Sequence, residues 1–226
     1  MEYIGLIAFV LLALLMVAPY TMTYIQEKVK YHQAENSING IQDGLEKVYA
    51  LGKCSETIIY VEMPDGVSNY SIQGQVFSIR MGEGDVVGIA KAPVVGYIPV
   101  LQRGYNIPLK YTCSEQLVIG DALSVEPKET GASMVLNVSN SFEYPMNVTN
   151  NLDQDISNVV MNATGEFTSK IKFNPKIFNL TAKSTQEVMV NVTADSSVYG
   201  YHTVYLTAKA NEGFAESTLT LVVSQE

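Results

Sequence analysis

Tryptophan is absent from this chain, and cysteine and histidine occur only twice each. Two cysteines cannot build a four-ligand structural zinc site alone, and His32 and His202 fall in different segments. Charge is scarce as well: 16% of residues are charged, and the formal net charge is −9. With no basic stripe to neutralise phosphates, nucleic acid is not expected as a partner. Gly82 and Gly84 lack the third glycine and the following helix of a phosphate-binding loop. Neither histidine has a nucleophile motif around it; a solvated helix face for His32 and a strand surface for His202 are the plainer readings. Asp153 and Asp155, beside Asn150 and Asn151, lack the spacing and closing glutamate of an EF-hand, so a polar turn is the plainer reading. These absences argue against an enzyme, and no cofactor is expected.

What the chain does have is concentrated at its start. Residues 3–26 carry no charged side chain, and 4–18 are almost entirely Ile, Leu, Val, Ala, Phe and Met. As a helix, 3–26 would rise roughly 36 Å, enough to cross a bilayer core of about 30 Å. A cleaved secretory signal fits poorly: there is no basic start, the run is long, and Pro19-Tyr20 follows it instead of a small-residue site. Glu2 is set directly against the apolar run, where a carboxylate in lipid is costly unless paired. In a fibre it could neutralise the α-amino group of a neighbouring subunit and fix helix register. The plainer alternative leaves Glu2 at the membrane surface.

The helical pattern then continues to about Gly52. Ile38, Ile41, Leu45, Val48 and Tyr49 recur at steps mostly of three and four, which builds one apolar stripe for a folded head to cover. Gly52 stands where a helix C-cap glycine belongs. Pro19 removes one backbone hydrogen bond, so a kink or local loosening is expected there.

After the helix the chain turns to strands. Residues 53–120 read as a head domain, with a short-stranded antiparallel sheet over about 54–119: strands over 56–63, 67–72, 76–81, 86–90, 109–112 and 117–119. Pro64-Asp65-Gly66 marks a turn, and Gln73-Gly74-Gln75 a three-residue hairpin loop. Pro93, Pro99 and Pro108 make the stretch up to about Leu109 irregular or edge-like. Residues 121–226 shift to Asn, Thr, Ser and Val, with nine short strands expected at near-regular spacing, one of them over 169–173, and no helix. Alternation is plain in Glu187-Val188-Met189-Val190-Asn191-Val192, and the rhythm argues for a β-sandwich. The Cys…Trp…Cys core of antibody domains is missing. The fold class is therefore α+β: a long N-terminal hydrophobic helix over 1–52, a β-rich head, and a second, all-β, Ig-like sandwich.

Cys54 and Cys113 flank the head, and an N-terminal membrane segment implies export. A disulfide between them is expected; two buried free thiols are the alternative. Closing such a loop stabilises by about 4 kcal/mol in the loop-entropy account. Six N-x-S/T tripeptides begin at Asn69, Asn137, Asn147, Asn162, Asn179 and Asn191. Fifteen Asn in a chain of this composition predict about two, so N-linked glycans on an exported module are expected. Asn and Thr also suit strand ends, which gives part of the enrichment a structural explanation.

Glu2-Tyr3-Ile4, followed by Gly5-Leu6-Ile7-Ala8 and the aliphatic run, resembles the N-terminal helix of archaeal type IV pilin-like subunits with class III signal peptides. Glu46-Lys47-Val48-Tyr49-Ala50-Leu51-Gly52, then Thr57 through Val67, is similar to the helix exit and first hairpin of those heads. The resemblance covers 1 to about 120; residues 121–226 resemble Ig-like modules of prokaryotic cell surfaces more weakly. In that family a short basic leader is removed and the glutamate stands fifth in the mature chain. That implies three residues and a leader ahead of Met1, or else a cleavage point near Met1. The resemblance implies a filament subunit inserted in the cytoplasmic membrane before assembly. It would be processed by a prepilin peptidase, handled by pilus assembly machinery, and polymerised with copies of itself into an extracellular filament on the cell surface. The outer domain would be a glycosylated, adhesive or protective layer. A reading from another class makes the chain a monomeric membrane-anchored surface protein that binds a ligand through its Ig-like domain.

Overall fold

The computed structural model describes residues 2–82, 84–136, 140–195 and 198–225. Within the N-terminal helix it describes the side chains from 17 onward, together with Phe9, Leu12 and Leu15. Asn137 and the side chain of Glu2 lie outside the described residues.

One helix, α1, runs from Glu2–Leu51. Its second half forms because Ala34, Ile38, Ile41, Leu45 and Val48 fall on one stripe, and all five are fully buried. Ser37 joins them, its hydroxyl donating to the carbonyls of Gln33 at 2.9 Å and Glu62 at 2.5 Å. Tyr49 departs from the expected stripe. It is 38% exposed and sits on the flank, with its ring 5.2 Å from that of Tyr111. Gly52 ends the helix at φ +93, as a C-cap glycine should, its N–H reaching the Tyr49 carbonyl at 3.2 Å. The chain stays helical across Pro19. There the Thr21 and Thr23 hydroxyls donate back to the carbonyls of Ala18 and Pro19, both at 2.9 Å.

Two small sheets wrap the buried half of the helix. The first holds β1 (Ser55–Met63), β6 (Arg103–Tyr111), β7 (Leu117–Ile119) and β5 (Val94–Gly96), in the order β1-β6-β7-β5. The second is β2 (Asn69–Gln73), β3 (Val76–Met81) and β4 (Gly84–Ile89) in sequence order. Val61, Phe77, Ile79, Ile107, Leu109 and Leu117 close over the helical stripe in one core. Gly44 allows the close approach: a Cβ there would stand 2.4 Å from Leu109 Cδ1.

Three local expectations need correction. The head is two sheets, and β5 pairs with β7 in parallel. The hairpin after β2 is a two-residue loop, because Gln73 pairs with Val76 and Gly74 takes φ +62. Pro108 lies inside β6, in the middle of the first sheet, opposite Ile58. Its carbonyl accepts the Gly120 N–H at 2.8 Å, so its nitrogen faces the same side, where β7 has just ended and no ladder donor is required.

The outer domain is a two-sheet sandwich. One sheet is ordered β12 (Ile171–Asn174), β14 (Thr185–Thr193), β10 (Ser141–Asn150), β8 (Leu123–Glu126). The other is ordered β13 (Ile177–Leu180), β11 (Ile156–Gly165), β15 (Gly200–Lys209), β16 (Phe214–Gln225), β9 (Glu129–Leu136). Every pairing is antiparallel except β16 with β9. Alternate residues such as Met146, Val148, Val188 and Val190 meet Met161, Leu206, Leu219 and Leu221 in a second core, as period-2 patterning requires. The expected strand over 169–173 begins instead as a short 3-10 turn at Thr168–Lys170.

Candidate functional site

The projecting half of α1 is the feature the fold leaves without a purpose. Beyond the head, Phe9, Leu15, Tyr20 and Met22 are 73%, 72%, 79% and 68% exposed, and Leu12, Val17, Ile25 and Val29 are each more than half exposed. Fully covering one such side chain stabilises by about 1.5–3 kcal/mol. Among the described residues no helix is long and apolar enough to cross a membrane; most side chains of 2–16 lie outside that description. Where the helix meets the head, Lys30 Nζ lies 2.8 Å from Asp65 Oδ2 in the turn after β1. That ammonium holds the Asp65 carboxyl below the usual carboxylate range.

The disulfide is present. Cys54 and Cys113 are bonded with Cα atoms 4.5 Å apart, joining the exit of the helix to the end of β6. The same corner anchors the outer domain. The Glu216 carboxylate on β16 accepts the N–H of Cys113 at 3.0 Å and of Ser114 at 2.9 Å. Within the sandwich, Asn151 pins the entering chain: its backbone N–H donates to Ala122 O at 2.9 Å, and its side chain donates to Asp121 O at 3.0 Å. Gly213, in the turn between β15 and β16, lies so near Ala122 that a Cβ would approach its side chain to 2.8 Å. The two β units are thus joined at a seam by the Glu216 hydrogen bonds and by Lys209, whose Nζ donates to Gln116 Oε1 at 3.4 Å.

The sequon asparagines Asn69, Asn147, Asn162 and Asn179 are exposed, and Asn191 is half-buried against Glu143. Asn147 and Asn191 stand on one sheet of the sandwich, Asn162 and Asn179 on the other. Asn150 is fully buried and structural: its amide donates to the carbonyls of Gln154 at 2.8 Å and Thr181 at 3.0 Å. Asp155 accepts the Ala182 N–H at 2.9 Å, and Asp153 pairs with Lys183 at 3.3 Å. Among the described residues no three His, Cys, Asp or Glu side chains are placed to hold a metal ion. His32 lies on the solvated helix face beside Glu35. His202 is not on the strand surface: it shares the inward face of β15 with Val204 and Leu206. It is stacked on Phe167 and only 17% exposed, because the left-handed turn at Phe167 folds that ring over β15.

No family model and no curated protein matches this chain. Solved structures share parts of its architecture. The periplasmic chaperone SfaE aligns at 10% identity and TM-score 0.35, over 46% of this chain and 58% of that one. A PapD-like domain of human CEP192 aligns at 9% identity and TM-score 0.36, over 46% and 85%. The E. coli chaperone DraB aligns at 12% identity and TM-score 0.34, over 44% and 52%. The chain thus spans little more than half of either chaperone. At such scores these likenesses add nothing to what the sheet order already gives. On its own geometry the chain is an α+β protein: one long helix, a two-sheet head locked by a disulfide, and a β-sandwich.

Proposed function

We propose that this chain is a non-catalytic structural subunit of an extracellular filament of the archaeal type IV pilus-like kind, assembled through α1. The observation that carries the reading is the single continuous helix, half buried in a folded head and half projecting with its large apolar side chains uncovered. Such a helix needs lipid or other helices around it. The uncharged run over 3–26 supports lipid first, and copies of the same helix afterwards. A helix that passes from bilayer to fibre core never shows its apolar face to water. Glu2 would then pair with the α-amino group of a neighbour and set register. The outer sandwich, with outward-facing sequons on both its sheets, supports a glycan-bearing outer layer.

The test is electron microscopy of the full chain expressed with its assembly machinery. Filaments whose core is a bundle of α1 helices support the proposal; a uniformly monomeric, membrane-bound protein would favour the anchored ligand-binding reading instead. Glu2→Ala should reduce filament yield while leaving thermal unfolding of the head unchanged. Normal filament yield from that variant would remove Glu2 from the mechanism.

A further inference from the structure

A cleft of about 520 Å³ lies beside the seam, where β6 and the loop before it face the outer domain's 151–154 and 183 segments. Its walls combine apolar and polar groups in an uncommon way. Half-buried Tyr97 and Tyr105, with exposed Leu101, supply flat apolar surface. Arg103 lies over the Tyr105 ring, its guanidinium carbon 4.7 Å from the centroid. That contact holds the planar fork without using its N–H donors, and among the described residues Arg103 has no hydrogen-bond or ion-pair partner. The side-chain amides of Asn106 and Gln154 in the lining are likewise uncommitted among the described residues. On the opposite rim Lys183 is fixed by donating to Asn151 O at 2.7 Å and is paired with Asp153 at 3.3 Å. Burial and the nearby Tyr105 and Asp153 push the Tyr97 phenol up, while Arg103 eases it, so these groups share one local field.

We infer that this cleft binds an acidic saccharide: the Arg103 guanidinium takes the carboxylate of a uronic acid, Tyr97 and Leu101 cover the sugar's C–H face, and Asn106 and Gln154 bond its hydroxyls. A pyranose ring has this division, with an apolar face and a polar edge. A protein of net charge −9 repels polyanions in general, so attraction for a carboxylate must be local; Lys183 is already paired with Asp153 and Asp121 with Lys110, which leaves the Arg103 guanidinium as the group that supplies it. A planar fork matches a carboxylate bidentately, which an ammonium cannot do. The inference is independent of filament assembly, because the cleft lies between the two folded β units.

The experiment is calorimetric titration of the full chain, monomeric in detergent, with tri-galacturonate and with neutral galactotriose as the matched control. The acidic trisaccharide should bind, and the neutral one should bind at least about tenfold more weakly. Arg103→Gln should weaken the acidic ligand by about tenfold to a hundredfold, and Arg103→Lys should fail to restore it. Thermal unfolding of both variants should match the parent. No binding of either sugar, equal binding of both, or full retention in Arg103→Gln would overturn the assignment. The uronate could come from a glycan on a neighbouring copy or from a foreign surface. Free tri-galacturonate that loosens assembled filaments indicates the first source; filaments left intact but blocked from a uronate-coated surface indicate the second.

Discussion

Individual residues in the head do their work by what they leave room for or keep dry. Gly96 takes φ +133, and a Cβ there would stand 2.1 Å from the Ile119 carbonyl oxygen, backbone that cannot step aside. Gly96→Ala should therefore lower head stability by more than about 2 kcal/mol in chemical denaturation, with no change in the sandwich transition. Tyr70 meets Tyr97 edge-on, with ring centroids 5.3 Å apart. Burial, with help from Glu212 and Tyr97, pushes its phenol up to about 12 from 10.0. An acid whose folded pKa is raised contributes stability that is complete below its unfolded pKa and is lost as pH rises through the folded one. Head stability should thus decline between pH 10 and about 12. In an ultraviolet phenolate titration Tyr70 should ionise late together with Tyr97 and the buried Tyr144, and Tyr70→Phe should reduce the late amplitude by one tyrosine.

At the scale of elements, α1 divides into two halves with opposite tasks. The second half contributes Ala34, Ile38, Ile41, Leu45 and Val48 to a core, so its sequence is constrained by packing within one chain. In the first half the described large apolar side chains Phe9, Leu12, Leu15, Val17, Tyr20 and Met22 are all more than half exposed, so their constraint comes from outside the chain. Leu15, 72% exposed, separates the two roles. Leu15→Asp should abolish filaments, since a carboxylate buried among packed helices costs several kcal/mol, about the worth of several contacts. The same change should leave the head's melting unaltered, which circular dichroism would check. Much of this division was legible from the residues: the stripe at three- and four-residue steps, the C-cap at Gly52 and the charge-free run all pointed to it. Period-2 alternation likewise marked nearly every strand of the sandwich. Pro108 was misleading, because proline argues against a central strand, and only the point at which β7 ends makes the missing N–H harmless. His202 taken alone reads as a strand-surface residue, although alternation along β15 sets it on the face of buried Val204, Leu206 and Ala208, where the Phe167 ring covers it.

For the whole molecule, the seam at Cys54–Cys113 couples three parts: helix exit, head sheet and outer domain. Head and sandwich have separate cores, so they should unfold separately. Reduction of the disulfide should destabilise the head by about 4 kcal/mol, because it frees the unfolded chain from the closed loop, while the sandwich transition stays where it was. Differential scanning calorimetry with and without reductant would resolve the two transitions, and a common shift of both would contradict their independence. Glu216 is the molecule-scale counterpart of a cap. It accepts two backbone donors from the other unit, an arrangement that no local pattern in β16 announces.

The boundary between the two sources of information follows from the range of the forces involved. Helix, strands, turns and the two hydrophobic faces are set by residues a few positions apart, so the sequence alone determined the helix-plus-β plan and the exposed apolar N-terminal run. Pairing between distant segments is decided by packing and by loop closure over a hundred residues. Only the tertiary structure therefore decided the parallel partnerships of β5 with β7 and β16 with β9, the grip of Glu216 on the disulfide corner, and the cleft that brings Arg103 opposite Lys183.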